Sequence, residues 1–217
     1  MNKHTVLAIT MTFAIAVIAM ASIPEESDAA TVTLDSETIG NYLNEETQQY
    51  EFSEGDYVLG EKFGLYDNQI THPMVFSGTC TLDLNGFGIF PTENVQYGII
   101  NQGVLTVKDS SEEKTGSIAL SYYSSSSKGV AILNEGSLTV DGGSFTADYS
   151  IMNSASHTDT ELVVNDVWAL TSTQAIRVCS GTVEINGGDI TGDDYATLAL
   201  IAQDLTREIA ALEDAVD

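Results

Sequence analysis

An all-β fold, a parallel β-helix of about six coils with a short N-terminal cap and a C-terminal amphipathic helix, is what this sequence predicts. Three observations carry that expectation. The first is a recurring phrase: Asn134-Glu135-Gly136-Ser137-Leu138-Thr139-Val140-Asp141-Gly142-Gly143 is echoed by Asn101-Gln102-Gly103-Val104-Leu105-Thr106-Val107-Lys108 and by Cys179-Ser180-Gly181-Thr182-Val183-Glu184-Ile185-Asn186-Gly187-Gly188. The second is its spacing. Anchors at Leu59, Leu82, Leu105, Leu138, Leu162 and Val183 lie 23, 23, 33, 24 and 21 residues apart, the period of a solenoid coil. The third is alternation within each phrase. Leu138 and Val140 face one way and Thr139 the other, as strand geometry requires.

Taken in order, residues 1–30 read as an export signal. Lys3 and His4 precede an uncharged apolar run from Val6 to Ala21, and small-residue cleavage sites follow at Ala21 and near Ala30. The alternative is an uncleaved anchor, because the run approaches the roughly 18 residues that a membrane span needs. With the signal removed, no membrane span is expected in the mature chain. Residues 31–54 read as the N-terminal cap. Thr31 to Leu34 suit a strand, and Ile39, Tyr42 and Leu43 suit one short amphipathic helix. A solenoid needs such a cover, since its first coil otherwise exposes apolar side chains and unpaired strand edges.

Residues 55–195 are expected to form the β-helix. Stacked in register, the pairs Leu105/Val107, Leu138/Val140, Leu162/Val164 and Val183/Ile185 make aliphatic columns inside, leaving Thr106, Thr139, Val163 and Glu184 in an outward row. One corner is marked by Asn85, Lys108, Asp141, Asn165 and Asn186, a second by Asn101, Asn134, Asn153 and Cys179. Asx residues suit such corners because they bond nearby backbone and tolerate positive φ. The 33-residue coil is expected to hold one inserted loop, Ser110 to Lys128, in which Tyr122 and Tyr123 are candidates for stacking on sugars. Residues 196–217 carry Leu198, Ile201, Leu205, Ile209, Leu212 and Val216 at helical spacing. They are expected to close the C-terminal end of the solenoid or to act as an oligomerisation segment.

At Gly136 to Phe145 and at Leu82-Asp83-Leu84-Asn85-Gly86, the chain resembles the pectin-lyase-like right-handed parallel β-helix superfamily. The branch it is most similar to is the adhesin-like exported proteins of bacteria and archaea, and the likeness covers roughly residues 55–195. The resemblance implies two functions: non-catalytic cell-surface proteins, and polysaccharide lyases or hydrolases. Lyase-type members use a basic residue beside calcium-bound acids, and Arg177 is the candidate on a well-defined strand. Hydrolase-type members carry a Gly-Asp-Asp element, matched here by Gly192-Asp193-Asp194 without the accompanying His and Arg motifs. A non-catalytic, adhesin-like or structural role is therefore expected, with glycans or envelope proteins as partners.

Charge supports that reading. Lys plus Arg is 7 and Asp plus Glu is 32, a net charge of -25, which argues against nucleic acid and anionic membranes. No cofactor is expected, with calcium the weaker alternative raised by the acids. The chain has no Cys-x-x-Cys and only His4, His72 and His157. Cys80 and Cys179 lie four coils apart, roughly 19 Å at 4.8 Å per coil, so no bridge between them is expected.

Overall fold

The computed structural model describes residues 30–64, 68–121, 127–167 and 169–192. Over these residues the chain is an all-β parallel solenoid of about six turns with almost no helix. One sheet stacks Val32–Leu34, Gly55–Leu59, Thr79–Asp83, Val104–Lys108, Ser137–Asp141, Glu161–Asp166 and Thr182–Ile185. A second stacks Gln49–Phe52, Met74–Phe76, Tyr97–Asn101, Val130–Asn134, and the later halves of Ser144–Asn153 and Ala169–Val178. The earlier halves of those two long strands form a third face with Gly88–Ile89, Ser117–Ala119 and Ile190–Gly192. A complete coil visits the first sheet, the third face and the second sheet in that order.

The aliphatic columns form as the alternation requires. Leu105, Leu138, Leu162 and Val183 are in register, as are Val107, Val140, Val164 and Ile185. Upstream the register is shifted by two residues from the expected one. Cys80 pairs with Leu105 and Leu82 with Val107, while Leu59 stacks over Leu34. The cause is a third inward residue in that coil, since Cys80, Leu82 and Leu84 are all buried. A two-residue shift leaves each side chain on its face, so the inward assignments survive it.

Residues 31–54 do more than cap. Val32–Leu34 pairs in parallel with Gly55–Leu59, so the solenoid begins there and not at residue 55. The expected short helix is one 3₁₀ turn, Ile39–Tyr42. Asp35 starts it: Oδ1 accepts the N–H groups of Glu37 and Thr38 at 3.0 and 2.9 Å. Leu43–Asn44 then pairs antiparallel with Gln49–Phe52, closing this end with a hairpin. Tyr42 stacks on Phe52 at 4.7 Å, Phe52 on Phe76 at 4.6 Å, and Tyr57 meets Phe52 edge-on at 4.9 Å. Burial, with smaller additions from Cys80, Tyr42 and Glu54, pushes the Tyr57 phenol up to about 12. Its hydroxyl donates to the Glu54 carbonyl at 2.9 Å.

The long coil does not contain one inserted loop. Ser117–Ala119 is a strand within Ser110 to Lys128, so the extra length is divided to either side of that strand. Tyr122 and Tyr123 lie outside the described residues, as do the expected signal at 1–29 and the C-terminal segment from Asp193 onward.

One interior column changes chemistry along the stack: Phe52, Phe76, Asn101, Asn134, Asn153, Val178. Val178, not the expected Cys179, therefore follows Asn153 in register. The asparagines are fully buried and bonded from coil to coil. Asn101 Nδ2 donates to Asn134 Oδ1 at 2.8 Å and to the Ser137 carbonyl at 2.9 Å. Asn134 Nδ2 repeats the pattern with Asn153 Oδ1 at 3.0 Å and the Glu161 carbonyl at 2.8 Å.

The glycine two residues after Asn101 and Asn134 has its own reason. A Cβ on Gly136 would overlap the carbonyl oxygen of Gly103, and one on Gly103 would overlap that of Gly78. Gly136→Ala is thus expected to push two coils apart and to destabilise the fold by about 1–3 kcal/mol, as overpacking does. A urea midpoint lowered at unchanged m is the confirming measurement.

Cys80 and Cys179 are both free, the former buried and the latter half-buried. At the C-terminal end the columns emerge. Leu162 and Val164 are buried, but Val183 is half-buried and Ile185 is 39% exposed.

Candidate functional site

Three places on the solenoid bring chemistry-bearing side chains together. The first is the outer face of the first sheet. Its strands alternate, so Thr81, Thr106, Thr139 and Val163 form one outward, half-buried row in register. Thr79, Val104, Ser137, Glu161 and Thr182 form the next row, and Val104 is 52% exposed. Neighbouring rungs are about 4.8 Å apart, so the hydroxyls make a regularly spaced rank.

The second is the corner beside that face. Asp83 occupies it in register with Lys108, so the expected Asn85 lies two positions further on. Asn85 (φ 46°) and Gly86 (φ 78°) instead make the tight turn, closed by the Phe87 N–H on the Leu84 carbonyl at 2.7 Å. Coil-to-coil bonds continue the corner: Asn165 Nδ2 donates to Asp141 Oδ1 at 2.6 Å, and Asn186 Nδ2 to Asn165 Oδ1 at 2.9 Å. Asp83 Oδ1 accepts the N–H groups of Asn85 and Ser110, both at 2.9 Å.

Asp109 is the corner residue that the sequence reading missed. Only 1% exposed, it accepts the N–H groups of Gly86 at 2.8 Å, Ser111 at 3.1 Å and Gly116 at 2.6 Å, tying two coils together. Burial alone would raise its pKa. The adjacent Ser111 hydroxyl and the N–H groups of Gly116, Gly86 and Ser111 outweigh that and hold it below 3.8. Ser111 Oγ itself makes no hydrogen bond, so the N–H groups are the firm part of this cradle. A sign was present in the sequence: Asn85, Asp141 and Asn186 are each followed by glycine, whereas Lys108 is followed by Asp109-Ser110.

The pH dependence follows from the direction of that shift. A depressed carboxyl pKa gives stability that is complete above the unfolded value and is lost as pH falls through the folded one. Asp109→Asn is expected to destabilise by about 1–3 kcal/mol at pH 7, since its amide would face N–H donors. The gap to the parent should shrink below pH 3.8. Urea midpoints at pH 7 and pH 3 measure it, and an unchanged gap at pH 3 would refute the assignment.

The third place is the outer face of the second sheet. It carries a separate apolar cluster: Val75, Ile100, Val130 and Leu133 are buried there, with Tyr97, Tyr149 and Met152 packed against them. Arg177, the candidate base, stands at the end of this strip. Its Cζ lies 4.7 Å from the Tyr149 ring centroid, and Nη1 donates to the Tyr149 hydroxyl at 2.5 Å. The Cys179 side chain first, then Tyr149, favour the charged guanidinium. Gly192 ends the described chain in the third face, and Asp193 and Asp194 lie outside it.

Among the described residues, no three His, Cys, Asp or Glu side chains converge as metal ligands, and no helix is long and apolar enough to cross a membrane. The described chain defines a class by its architecture alone, the parallel β-solenoids. No protein-family model, curated protein or solved structure matches it.

Proposed function

We propose that this protein is an exported, surface-associated solenoid of the pectin-lyase-like, adhesin-like kind, with right-handed coils, which binds glycans or other envelope molecules without catalysis. The observation that carries this reading is a division of labour among side chains. The buried acids are spent on backbone: Asp83 and Asp109 hold corner N–H groups. Arg177 is engaged by Tyr149. What the first sheet turns to solvent is a rank of hydroxyl and β-branched side chains, centred on Thr106, Thr139 and Val104 and flanked by Asp56, Glu161 and Glu184. A rigid, repetitive hydroxyl surface suits the contact of a long polymer or a neighbouring envelope protein better than the turnover of a single bond. The net charge of -25 argues against nucleic acid and polyanionic sugars as partners, so neutral or cationic glycans fit best.

Purified protein applied to an array of host and microbial glycans tests this. Saturable binding is expected, lost in Thr106→Glu/Thr139→Glu while the far-UV spectrum and Tm are kept. Binding unchanged by those substitutions, or release of shortened sugar products, overturns the proposal. Fractionation of expressing cells with N-terminal sequencing of the product tests export and cleavage after Ala21 or near Ala30.

A further inference from the structure

The two sheets treat their outer faces differently. On the first, the central outward residues Thr81, Thr106, Thr139 and Val163 are half-exposed and mostly polar. On the second, the central outward residues Val75, Ile100 and Leu133 are apolar and only 5%, 8% and 7% exposed. The primary structure agrees. Ahead of the ladder asparagines stand apolar doublets, Ile99-Ile100, Ile132-Leu133 and Ile151-Met152, in place of alternation. Parallel strands whose sequence is apolar on both faces are those covered on both faces. The inner face is the core, so the outer face also has a partner.

We propose that the partner is this chain's own segment 196–217, laid as a helix along the outer face of the second sheet. Where the described chain stops argues for it. Gly192 pairs with Ser172 on the third face, and in the two preceding coils that face runs on without a break into the second sheet. Residues after Gly192 are therefore delivered to the edge of the strip, two to five positions short of the Gln174 and Arg177 row. Five residues, 193–197, reach up to roughly 17 Å when extended, enough to cross that gap.

Dimensions agree. The strip from Val75 to Arg177 spans four inter-strand steps, about 19 Å. The stripe Leu198 to Val216 spans about 27 Å as a helix, so it covers the strip with about 8 Å to spare in all. The strip is two outward columns wide, Tyr97/Val130/Tyr149 beside Ile100/Leu133/Met152, which is the footprint of one helix. The competing destination is the end of the stack. It offers a much smaller target, Val183, Ile185 and Ile190, and Ile185 is 39% exposed there. This docking leaves the hydroxyl rank of the first sheet free, so it neither needs nor blocks the binding function proposed above.

A photo-crosslinking amino acid placed at Leu205 of the full chain tests the docking. After irradiation, peptide mapping is expected to find adducts on residues 97–101, 130–134 and 149–153 in monomeric protein. The same probe at Gln203, on the opposite side of the helix, should give at least fivefold fewer. Adducts on residues 182–192, adducts found only between two copies, or equal yields from both probes would each overturn it. Leu205→Asp/Ile209→Asp provides a second readout. It should free the strip to bind an apolar dye while the β-sheet spectrum persists, and unchanged dye binding by a folded variant counts against the proposal.

Discussion

Phe76→Ala is expected to unfold at clearly lower denaturant than the parent, by an amount equivalent to about 3–5 kcal/mol. Phe76 is fully buried, and it stacks on Phe52 at 4.6 Å with an interplanar angle of 13°. It also meets the Tyr57 edge at 6.2 Å. Removing the ring loses its transfer energy, leaves a cavity between two coils, and unseats Phe52 from the Tyr42 lid. Such rings contribute about 0.5–1.5 kcal/mol to each other beyond area, so a Phe52→Ala/Phe76→Ala cycle should show coupling of that size. A coupling of zero would mean that the rings act only as filler. Equilibrium urea unfolding, with m checked for constancy, measures both.

Asn134→Ala is expected to cost nearly as much, about 3–5 kcal/mol, by another mechanism. The side chain is fully buried and donates to Asn153 Oδ1 and to the Glu161 carbonyl, while its own Oδ1 accepts from Asn101 Nδ2 and from the Gly136 N–H. Alanine leaves several buried groups without partners, each worth about 1–3 kcal/mol, partly relieved by local rearrangement. Asn165→Ala is the matched control. Asn165 also bonds from coil to coil, but at an exposed corner. Water replaces its partner there, and a loss under about 1 kcal/mol is expected. Equal losses at the two positions would show that burial is not what gives the ladder its strength.

Much of this architecture was legible because strand alternation and coil repetition reinforce each other. The triplets around Leu105, Leu138, Leu162 and Val183 stacked as read, and so did Asn101, Asn134 and Asn153. The registration of Leu59 and Leu82 was not legible. An extra inward Leu84 makes two alignments equally good by period, and only the neighbouring strands choose between them. The strand Ser117–Ala119 was hidden because three residues carry little pattern, and its register with Phe145 is set by tertiary contact. The candidate surfaces were partly legible. The Thr106/Thr139 row followed from alternation, whereas the Asp109 cradle required knowing which N–H groups the fold leaves unpaired. The outer strip lies in the apolar doublets, whose two faces only the pairing of the second sheet tells apart.

The column from Phe52 to Val178 carries one more consequence. Its contacts are aromatic at one end, amide-bonded in the middle and aliphatic at the other, so adjacent coils are not joined with equal strength. In a solenoid, where each repeat touches only its neighbours, unequal joints give unfolding a direction. The last coils, with Val178 half-buried and Ile185 at the rim, should open first, while the aromatic end stays closed. The asparagine section also behaves as a ruler. A coil bearing Asn-x-Gly fits above or below another of its kind, so a duplicated coil could be inserted there. Each such insertion would lengthen the molecule by about 4.8 Å without disturbing either end.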